Sequence, residues 1–270
     1  MAGFRTRAIS AVVLVAVLGS ALYFGGYYLW GLMLFASEIG FFEFARAMRE
    51  PGERENMRPD VLEALGYSGI AVTYVTLLIG RVIYAYYALV ILLIAFMIVY
   101  VMQFPRFNTS KMMQMLFGVI YVGVMLSFVF LTRMEPQGLK LVWLIFIASW
   151  VCDTTAYLTG MAIGRHKLTP ELSPKKSIEG AIGGVIGSGL VGFLYGLMMS
   201  PDAGALIYAL ISAMGAVISQ FGDLTASAIK RNHDIKDYGT LIPGHGGILD
   251  RFDSVIITAP IVYILSQIFA

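Results

Sequence analysis

The stretch Asp223–Asp253, DLTASAIKRNHDIKDYGTLIPGHGGILDRFD, lies between two long apolar segments and gathers much of the charge of the chain. It holds five of the 17 acidic residues, four basic residues and two of the three histidines. Carboxylates that can bind a metal, cations that can bind phosphate and an adaptable loop occur together within this short window. This stretch is therefore predicted to be a functional site between two membrane helices.

The spacing within this stretch predicts two helical faces separated by an irregular loop. One face would carry the residues at i, i+4, i+7 and i+8, which are Asp223, Ser227, Lys230 and Arg231. Asp250 and Asp253 stand three residues apart and would share a face where the next helix begins. Between them, residues 243–247 (PGHGG) are too glycine-rich for a regular element and suit a backbone that closes around a ligand.

Composition predicts a polytopic membrane protein. Of the 270 residues, 58% are hydrophobic and only 13% are charged, and the mean hydropathy is +0.78. Soluble domains carry about 25% charged residues, so most of this chain must face lipid or other apolar helices. We therefore expect an all-α bundle of transmembrane helices. The single cysteine, Cys152, excludes a disulfide framework and is interpreted as a small buried hydrophobe.

The apolar segments predict about nine membrane spans. They cover residues 8–23, 27–46, 66–104, 113–131, 139–163, 178–199, 205–230 and 247–269. The segment 66–104 is too long for one crossing of about 20 residues, and Gly80-Arg81 is its predicted break. Residues 49–64 and 164–177 are predicted to be polar connections, and 201–204 a turn. In the span 178–199, glycines four residues apart favour close helix packing.

The first two spans contain two features that need interpretation, a run resembling a signal peptide and a pair of glutamates. Arg5 and Arg7 precede the first apolar run, which resembles a signal peptide. Because the apolar character continues beyond Gly25-Gly26, a retained span followed by a tight turn is favoured. Glu38 and Glu43, in the second span, are interpreted as polar residues near a membrane end or facing neighbouring helices.

The distribution of basic residues predicts the orientation in the membrane. With nine spans and a cytoplasmic N-terminus, sixteen of the 19 lysines and arginines fall on the cytoplasmic side and three on the other. This bias places the loops 164–177 and 231–249 on the same, cytoplasmic face.

Four aspartates of these loops and helix ends are candidate metal ligands. They are Asp153, Asp223, Asp250 and Asp253. Oxygen ligands without cysteine suit Mg²⁺, whose coordination is completed by waters and substrate phosphates. For each single aspartate, an ion pair with a nearby lysine or arginine is the alternative. Whether a second cation accompanies Mg²⁺ stays open.

The same stretches resemble the signature of the phosphatidate cytidylyltransferase (CDP-diacylglycerol synthase) family. The matching segments are Ser227–Arg231 (SAIKR), Lys236-Asp237, Pro243–Gly247 (PGHGG), Asp250–Asp253 (DRFD), Asp153–Tyr157 (DTTAY), Gly164-Arg165 and Leu172–Gly180 (LSPKKSIEG). They cover roughly the C-terminal half. We therefore expect a catalytic region over residues 106–270, with the signature at 227–253, preceded by N-terminal spans over residues 1–105.

The resemblance implies that CTP and phosphatidic acid are converted to CDP-diacylglycerol and pyrophosphate with the help of Mg²⁺. It implies catalytic roles for Ser227, Lys230, Arg231, Lys236, Asp237, His245 and Arg251. Substrate binding is expected at Arg165, Lys175, Lys176, Gly246 and Gly247. The expected partners are CTP, phosphatidic acid and membrane lipids, without nucleic acid. We expect an integral protein of the cytoplasmic (inner) membrane with a cytoplasmic active site, and the glycine-rich helix leaves a homodimer open.

Two alternatives stay open. Another CTP-dependent lipid enzyme, such as a polyprenol kinase, would share the loop chemistry but not the full 227–253 signature. A transporter would also contain intramembrane carboxylates, but it would more often show internal repeats and polar residues near the midplane. The gathering of polar residues at one membrane face favours the enzyme.

Overall fold

Long helices follow one another along almost the whole chain. The computed structural model describes residues 2–55, 57–80, 82–199, 204–244 and 246–269. Across these residues there are nine long helices: α1 (Ala2–Phe24), α2 (Gly26–Met48), α3 (Val61–Leu78), α4 (Val82–Met102), α5 (Thr109–Met134), α6 (Gly138–Ile163), α7 (Ile178–Met199), α8 (Ala205–Asn232) and α9 (Leu249–Phe269). The predicted all-α class is confirmed.

Eight of these helices, α2 to α9, are long and apolar enough to cross a membrane. The apolar part of α1, Ala8–Phe24, is shorter. The predicted tight turn between the first two spans is confirmed, because Gly25 lies at φ 64° between α1 and α2. Together the helices make an integral membrane protein.

The connection predicted for residues 49–64 is shorter than expected. Helix α3 begins at Val61, because Asp60 and Glu63 form a reciprocal capping box at its N-terminus. Glu63 is buried and also accepts a hydrogen bond of 2.9 Å from Nε of Arg49. This bond raises the pKa of the Arg49 guanidinium above its ordinary value. The polar stretch thus ties the end of α2 to the start of α3.

The predicted polar loop 164–177 is instead partly ordered as a β-hairpin. Strand β1 (Lys167–Thr169) pairs in antiparallel fashion with β2 (Ser173–Ser177). The amide of Ile178, the first residue of α7, donates to the carbonyl of His166. Backbone hydrogen bonds therefore hold the lysines of this segment in a fixed hairpin. Of the turn predicted at 201–204, residues 201–203 lie outside the described residues, as does Arg81 at the predicted break between α3 and α4.

Two helices contain a π-helical turn. The turns cover Val119–Val124 in α5 and Ile147–Val151 in α6. Each inserts one extra residue per turn and shifts the faces that the helix presents before and after it. The hydrophobic pattern of the sequence gives no signal for either turn.

The helices form two compact units. The first comprises residues 1–127 and 235–251, and the second comprises residues 128–234 and 252–270. The division of the sequence into N-terminal spans (1–105) and a catalytic region (106–270) rests on the distribution of motifs and stays a prediction. The compact units instead assign the loop 235–251 to the unit that contains α1 to α4.

The core of the first unit is built from aromatic side chains packed against glycines. Phe41 and Phe44 of α2 are buried, as is Tyr74 of α3. A Cβ atom added at Gly66 would overlap the ring of Phe41, and one at Gly118 would lie 2.6 Å from Cδ1 of Phe44. Glycine therefore provides the space for the large rings between the helices.

In the second unit, α7 packs its small residues against α6 and α8. A Cβ atom at Gly184 would lie 2.8 Å from Sγ of Cys152 on α6. The predictions of close packing through these glycines and of a buried Cys152 are confirmed. Because this packing is intramolecular, the glycine spacing does not by itself require a partner chain, and a homodimer stays a prediction.

Two glycines of α7 provide a matched test of this packing. A Cβ atom at Gly192 would overlap Oγ of Ser212 and lie 2.8 Å from the carbonyl oxygen of Tyr208, whereas one at Gly189 would lie 3.4 Å from Cβ of Ala213. We expect Gly192→Ala to destabilise the protein by about 1–3 kcal/mol through overpacking. Gly189→Ala should be neutral or stabilising by up to about 1 kcal/mol. Thermal unfolding in detergent measures both, and equal effects would contradict the packing described.

Candidate functional site

The polar end of α8 forms the centre of a cluster in the second unit. Helix α8 continues to Asn232, so Asp223 and Ser227 share a face as predicted, with Oγ of Ser227 3.4 Å from Oδ1 of Asp223. Nζ of Lys176, on strand β2, lies 2.5 Å from Oδ2 of Asp223. Both side chains are about one quarter exposed (27% and 29%), so this ion pair remains accessible to solvent and to ligands.

Asp253 lies beside Asp223 because α8 and α9 approach closely at Gly222. A Cβ atom at Gly222 would lie 2.9 Å from the carbonyl oxygen of Asp253. The carboxylate of Asp253 is within electrostatic range of Asp223, Lys230 and Asp153. The second unit therefore brings together three of the four predicted metal ligands, Asp153, Asp223 and Asp253, with Lys176 and Lys230 as nearby cations.

These carboxylates do not form a closed metal cage. Among the described residues, no group of three or more histidine, cysteine or acidic side chains is arranged to hold a metal ion. A cation bound by one or two carboxylates and completed by substrate phosphates does not need such a cage, and Mg²⁺ is commonly held in this way. The pair Asp223 and Asp253 fits a site of that kind.

A cavity of about 320 Å³ opens next to this cluster, within the second unit. Its polar lining residues are Asp153, Lys175, Lys176, Ser177, Gln220 and Asp223. Apolar side chains line it as well, including those of Tyr157, Met161 and Leu168. The cavity therefore combines two lysines with an apolar wall, which suits an anionic group attached to a hydrocarbon.

Arg165 and the two lysines are held by the same short segment. The carboxylate of Glu179, at the start of α7, accepts hydrogen bonds from the amides of Arg165 (3.0 Å) and His166 (3.2 Å). It also lies 2.6 Å from Nδ1 of His166. The side chain of Arg165 is exposed, and the fixed backbone keeps it at the end of α6. This role of Glu179 was not predicted from the sequence.

In the first unit, Asp250 organises the signature loop. The Asp250 side chain is buried, and its Oδ2 accepts hydrogen bonds from the amides of Tyr238 (2.8 Å) and Gly247 (3.0 Å). Tyr238 is only 1% exposed and anchors the loop in the core. The described contacts of Asp250 thus serve the shape of the loop, while its predicted role as a metal ligand is untested.

A buried glutamate from a distant helix holds the same loop. The carboxylate of Glu43 accepts hydrogen bonds from the amides of Ile248 (3.1 Å) and Leu249 (2.8 Å). One turn further along α2, a terminal nitrogen of Arg46 donates to the carbonyl of Tyr238 at 3.0 Å. From the sequence, Glu43 was interpreted as a polar residue near a membrane end or facing neighbouring helices, without a role in the loop. Its signal was an acidic residue one helical turn before a basic one, in an apolar helix.

A second pocket, of about 520 Å³, lies within the first unit. It is lined by Lys236, Asp237, Gly239, Thr240, Ile242, Gly244, Gly246 and Arg251. Nε of Arg251 is buried and has no hydrogen-bond partner among the described residues. Gly246 lies at φ 86°, a conformation that glycine adopts without strain. The first unit therefore brings together Lys236, Asp237, Gly246 and Arg251, with Gly247 adjacent to them.

The remaining predicted residues differ in exposure. Lys230 is half-buried, whereas Arg231 at the end of α8 is exposed. His245 lies outside the described residues.

Gln220, which was not predicted, lines the cavity and donates to the carbonyl of Ala181 at 3.1 Å. An amide three residues before Asp223 in an apolar helix was the available signal.

Helices long enough to cross a membrane, together with carboxylates, lysines and a glycine-rich loop, define the class of protein. It is a polytopic membrane protein with a polar site that suits phosphate groups. Over residues 5–269 the sequence matches the model of the cytidylyltransferase family. The chain belongs to that family.

Similar proteins include the phosphatidate cytidylyltransferases of three bacteria. The Bacillus subtilis (strain 168) protein is 35% identical over 152 residues, which are 56% of this chain and 56% of the relative. The Staphylococcus epidermidis protein is 37% identical and the Staphylococcus aureus (strain COL) protein 38% identical, each over 160 residues, which are 59% of this chain and 61% of the relative. The chain thus matches these relatives over less than two thirds of their length.

The contacts of Asp250 predict a local effect of its neutralisation. In Asp250→Asn, the amide oxygen can still accept from both N–H groups, but both bonds lose their charge assistance. Hydrogen bonds to charged groups contribute about 1.5–3 kcal/mol, and neutral ones about 0.5–1.5 kcal/mol. Amide hydrogen exchange in residues 238–247 should become about 10- to 100-fold faster. Asp237→Asn, a change at an exposed neighbouring carboxylate, is the control and should leave this exchange unchanged. Unaltered protection in Asp250→Asn would show that the loop does not depend on this carboxylate.

Proposed function

We propose that this chain is a membrane-embedded phosphatidate cytidylyltransferase, which converts CTP and phosphatidic acid to CDP-diacylglycerol and pyrophosphate. Membership of the cytidylyltransferase family and the names of its relatives support this activity. One structural observation carries the proposal: the Lys176–Asp223 ion pair borders a cavity that has both cationic and apolar walls. This combination suits a lipid phosphate next to a cation-binding carboxylate.

The proposed reaction joins two polyanions, so charge is its main obstacle. An oxygen of the lipid phosphate attacks the α-phosphorus of CTP in line, a P–O bond forms, and the bond to the β-phosphate oxygen breaks to release pyrophosphate. The protein need not supply a covalent intermediate. Catalysis instead rests on neutralising the phosphates and on aligning the two reacting atoms.

The cavity of the second unit is the proposed site of phosphatidic acid. Lys175 and Lys176 would bind the lipid phosphate, and Tyr157, Met161 and Leu168 would contact the start of the hydrocarbon chains. The hairpin supports this role, because it keeps both lysines on one short strand. Arg165, at the end of α6, would contribute positive charge nearby.

The pocket of the first unit is the proposed site of the CTP phosphates. Lys236 and Arg251 line it, and the unpartnered buried Nε of Arg251 supports a role in anion binding. The glycines 246 and 247 allow the backbone to approach a phosphate closely. Lys230 and Arg231, at the end of α8 in the second unit, are also proposed to bind substrate phosphates. His245 would assist through phosphate contact or proton transfer, and Asp237 through proton transfer. Selectivity for cytidine rests on the relatives alone.

Asp223 and Asp253 are the proposed principal ligands of Mg²⁺, with Asp153 and Asp250 as further candidates. Their neighbouring carboxylates and nearby lysines fit a cation shared with phosphates. Bound Mg²⁺ would neutralise phosphate charge and stabilise the leaving pyrophosphate. Ser227, which donates a hydrogen bond to Asp223, would orient this carboxylate or a metal-bound water. The proposal leaves room for a second cation.

We also propose that the protein lies in the cytoplasmic membrane with its site facing the cytoplasm. The excess of lysine and arginine in the loops 164–177 and 231–249 supports this orientation. CTP is a cytosolic nucleotide, and phosphatidic acid can enter sideways from the inner leaflet. Association as a homodimer is a separate part of this proposal. No nucleic acid takes part in the proposed reaction.

The decisive assay is Mg²⁺-dependent formation of CDP-diacylglycerol from radiolabelled CTP and phosphatidic acid in detergent micelles. We expect product from the wild-type protein and at least a ~100-fold loss in Asp253→Asn, because a metal ligand would lose its charge. Unchanged thermal unfolding serves as the control for folding. Product in both proteins would remove Asp253 from the metal site. A folded wild-type protein without product would refute the activity and turn attention to a CTP-dependent lipid kinase or a transporter.

Two lysines provide a matched pair for testing the lipid site. Lys176 and Lys111 are 27% and 28% exposed, and each pairs with an aspartate. Partly exposed pairs contribute less than about 1 kcal/mol to stability, so neither Lys176→Gln nor Lys111→Gln should unfold the protein. Only Lys176→Gln should raise the KM for phosphatidic acid, by about 10-fold, because a charge-assisted bond to phosphate is lost. Equal KM values in the two variants would contradict the proposed lipid site.

A further inference from the structure

The amides at the start of α9 have their acceptor on a helix far away in sequence. The first N–H groups of a helix lack partners within it, and a serine, threonine, aspartate or asparagine at the preceding position normally accepts from them. Here that position is Ile248, which has no polar side chain. Glu43, 206 residues before Leu249, accepts from the amides of both Ile248 and Leu249. A buried carboxylate of α2 thus caps α9.

The loop before α9 is shaped to fit this carboxylate. A Cβ atom at Gly239 or at Gly247 would overlap the carboxylate of Glu43. Glycine is therefore required at both positions while Glu43 keeps its place, and Glu43 is only 3% exposed. The bond from Arg46 to the carbonyl of Tyr238 holds the opposite end of the loop to the same helix.

We propose that Glu43 is a positioning residue of the active site. By capping α9 and filling the space beside Gly247, it fixes the backbone that carries Gly246 and Arg251 in the pocket of the first unit. The carboxylate lies at the positive end of the helix, and both Asp250 and Arg46 are within electrostatic range of it. Glu43 itself does not line that pocket and acts through the loop. The catalytic part of this inference rests on the proposed function.

The variant Glu43→Gln tests this role, because glutamine keeps the shape but presents an NH₂ group to one of the two amides. We expect kcat to fall about 10- to 100-fold through misplacement of the loop. The KM for CTP should rise, while the KM for phosphatidic acid should stay constant, because the proposed lipid site lies in the other unit. A loss of folded protein alone would lower kcat and leave both KM values unchanged.

Glu38→Gln is the matched control. Glu38 lies on the same helix and is half-buried, but it is within electrostatic range of Tyr67 and Tyr74 on α3. The same chemical change there should leave kcat and both KM values within about twofold of wild type. An equal effect of Glu38→Gln and Glu43→Gln on kcat and on the KM for CTP would overturn the proposal, because any loss of charge in α2 would then suffice.

The variant Gly247→Ala disturbs the contact between Glu43 and the loop from the side of the loop. Its Cβ would displace the Glu43 carboxylate, so it should reproduce the kinetic pattern of Glu43→Gln. If both act through one contact, the double variant should lose about as much as the more severe single variant, whereas independent effects would multiply. Multiplying losses would overturn the proposal.

Amide hydrogen exchange in residues 246–252 separates this inference from the proposed activity. It should become faster in Glu43→Gln and stay unchanged in Glu38→Gln, whether or not the protein forms CDP-diacylglycerol. A wild-type protein without product but with this exchange pattern would refute the activity and retain the capping role. Unchanged exchange in Glu43→Gln would refute the positioning role, even in an active enzyme.

Discussion

The contact between the Glu43 carboxylate and the first amides of α9 is the interaction on which the signature loop depends. Backbone groups that leave a helix and are buried must find partners within the protein, because neither lipid nor water is available to them. For the amides of Ile248 and Leu249 the partner is a buried acid on α2. Asp250 accepts from two amides of its own loop, and Arg46 donates to the carbonyl of Tyr238.

In the second unit, close packing of helices at glycines positions the residues of the site. Helices that have glycine at their contact points can bring their backbones close together. The polar residues beside those points then become neighbours. Gly222 provides such a contact between α8 and α9 and places Asp223 next to Asp253. The contacts made by Gly160 and Gly180 at Ser177 similarly fix the hairpin of Lys175 and Lys176 against α6 and α7.

The sequence predicted most of the fold and the chemical character of the site. Apolar segments of sufficient length predicted the nine long helices found among the described residues, and the spacing of Asp223 and Ser227 predicted their shared face. The start of α3 was missed because its first residues lie in a charged stretch, where the capping box outweighs composition. The hairpin at 167–177 was missed because lysine-rich segments carry little strand signal, and its pairing depends on the flanking helices.

The sequence by itself determined that this chain is a helical membrane protein with carboxylates, cations and a glycine loop of one family. These properties depend on composition and on spacing along single helices, which are local. Only the tertiary structure decided that Glu43 caps α9, that Lys176 pairs with Asp223, and that Asp250 bonds the amides of its own loop. Hydrogen bonds and ion pairs act over a few ångströms, so partners distant in the sequence are determined by how the chain packs in space.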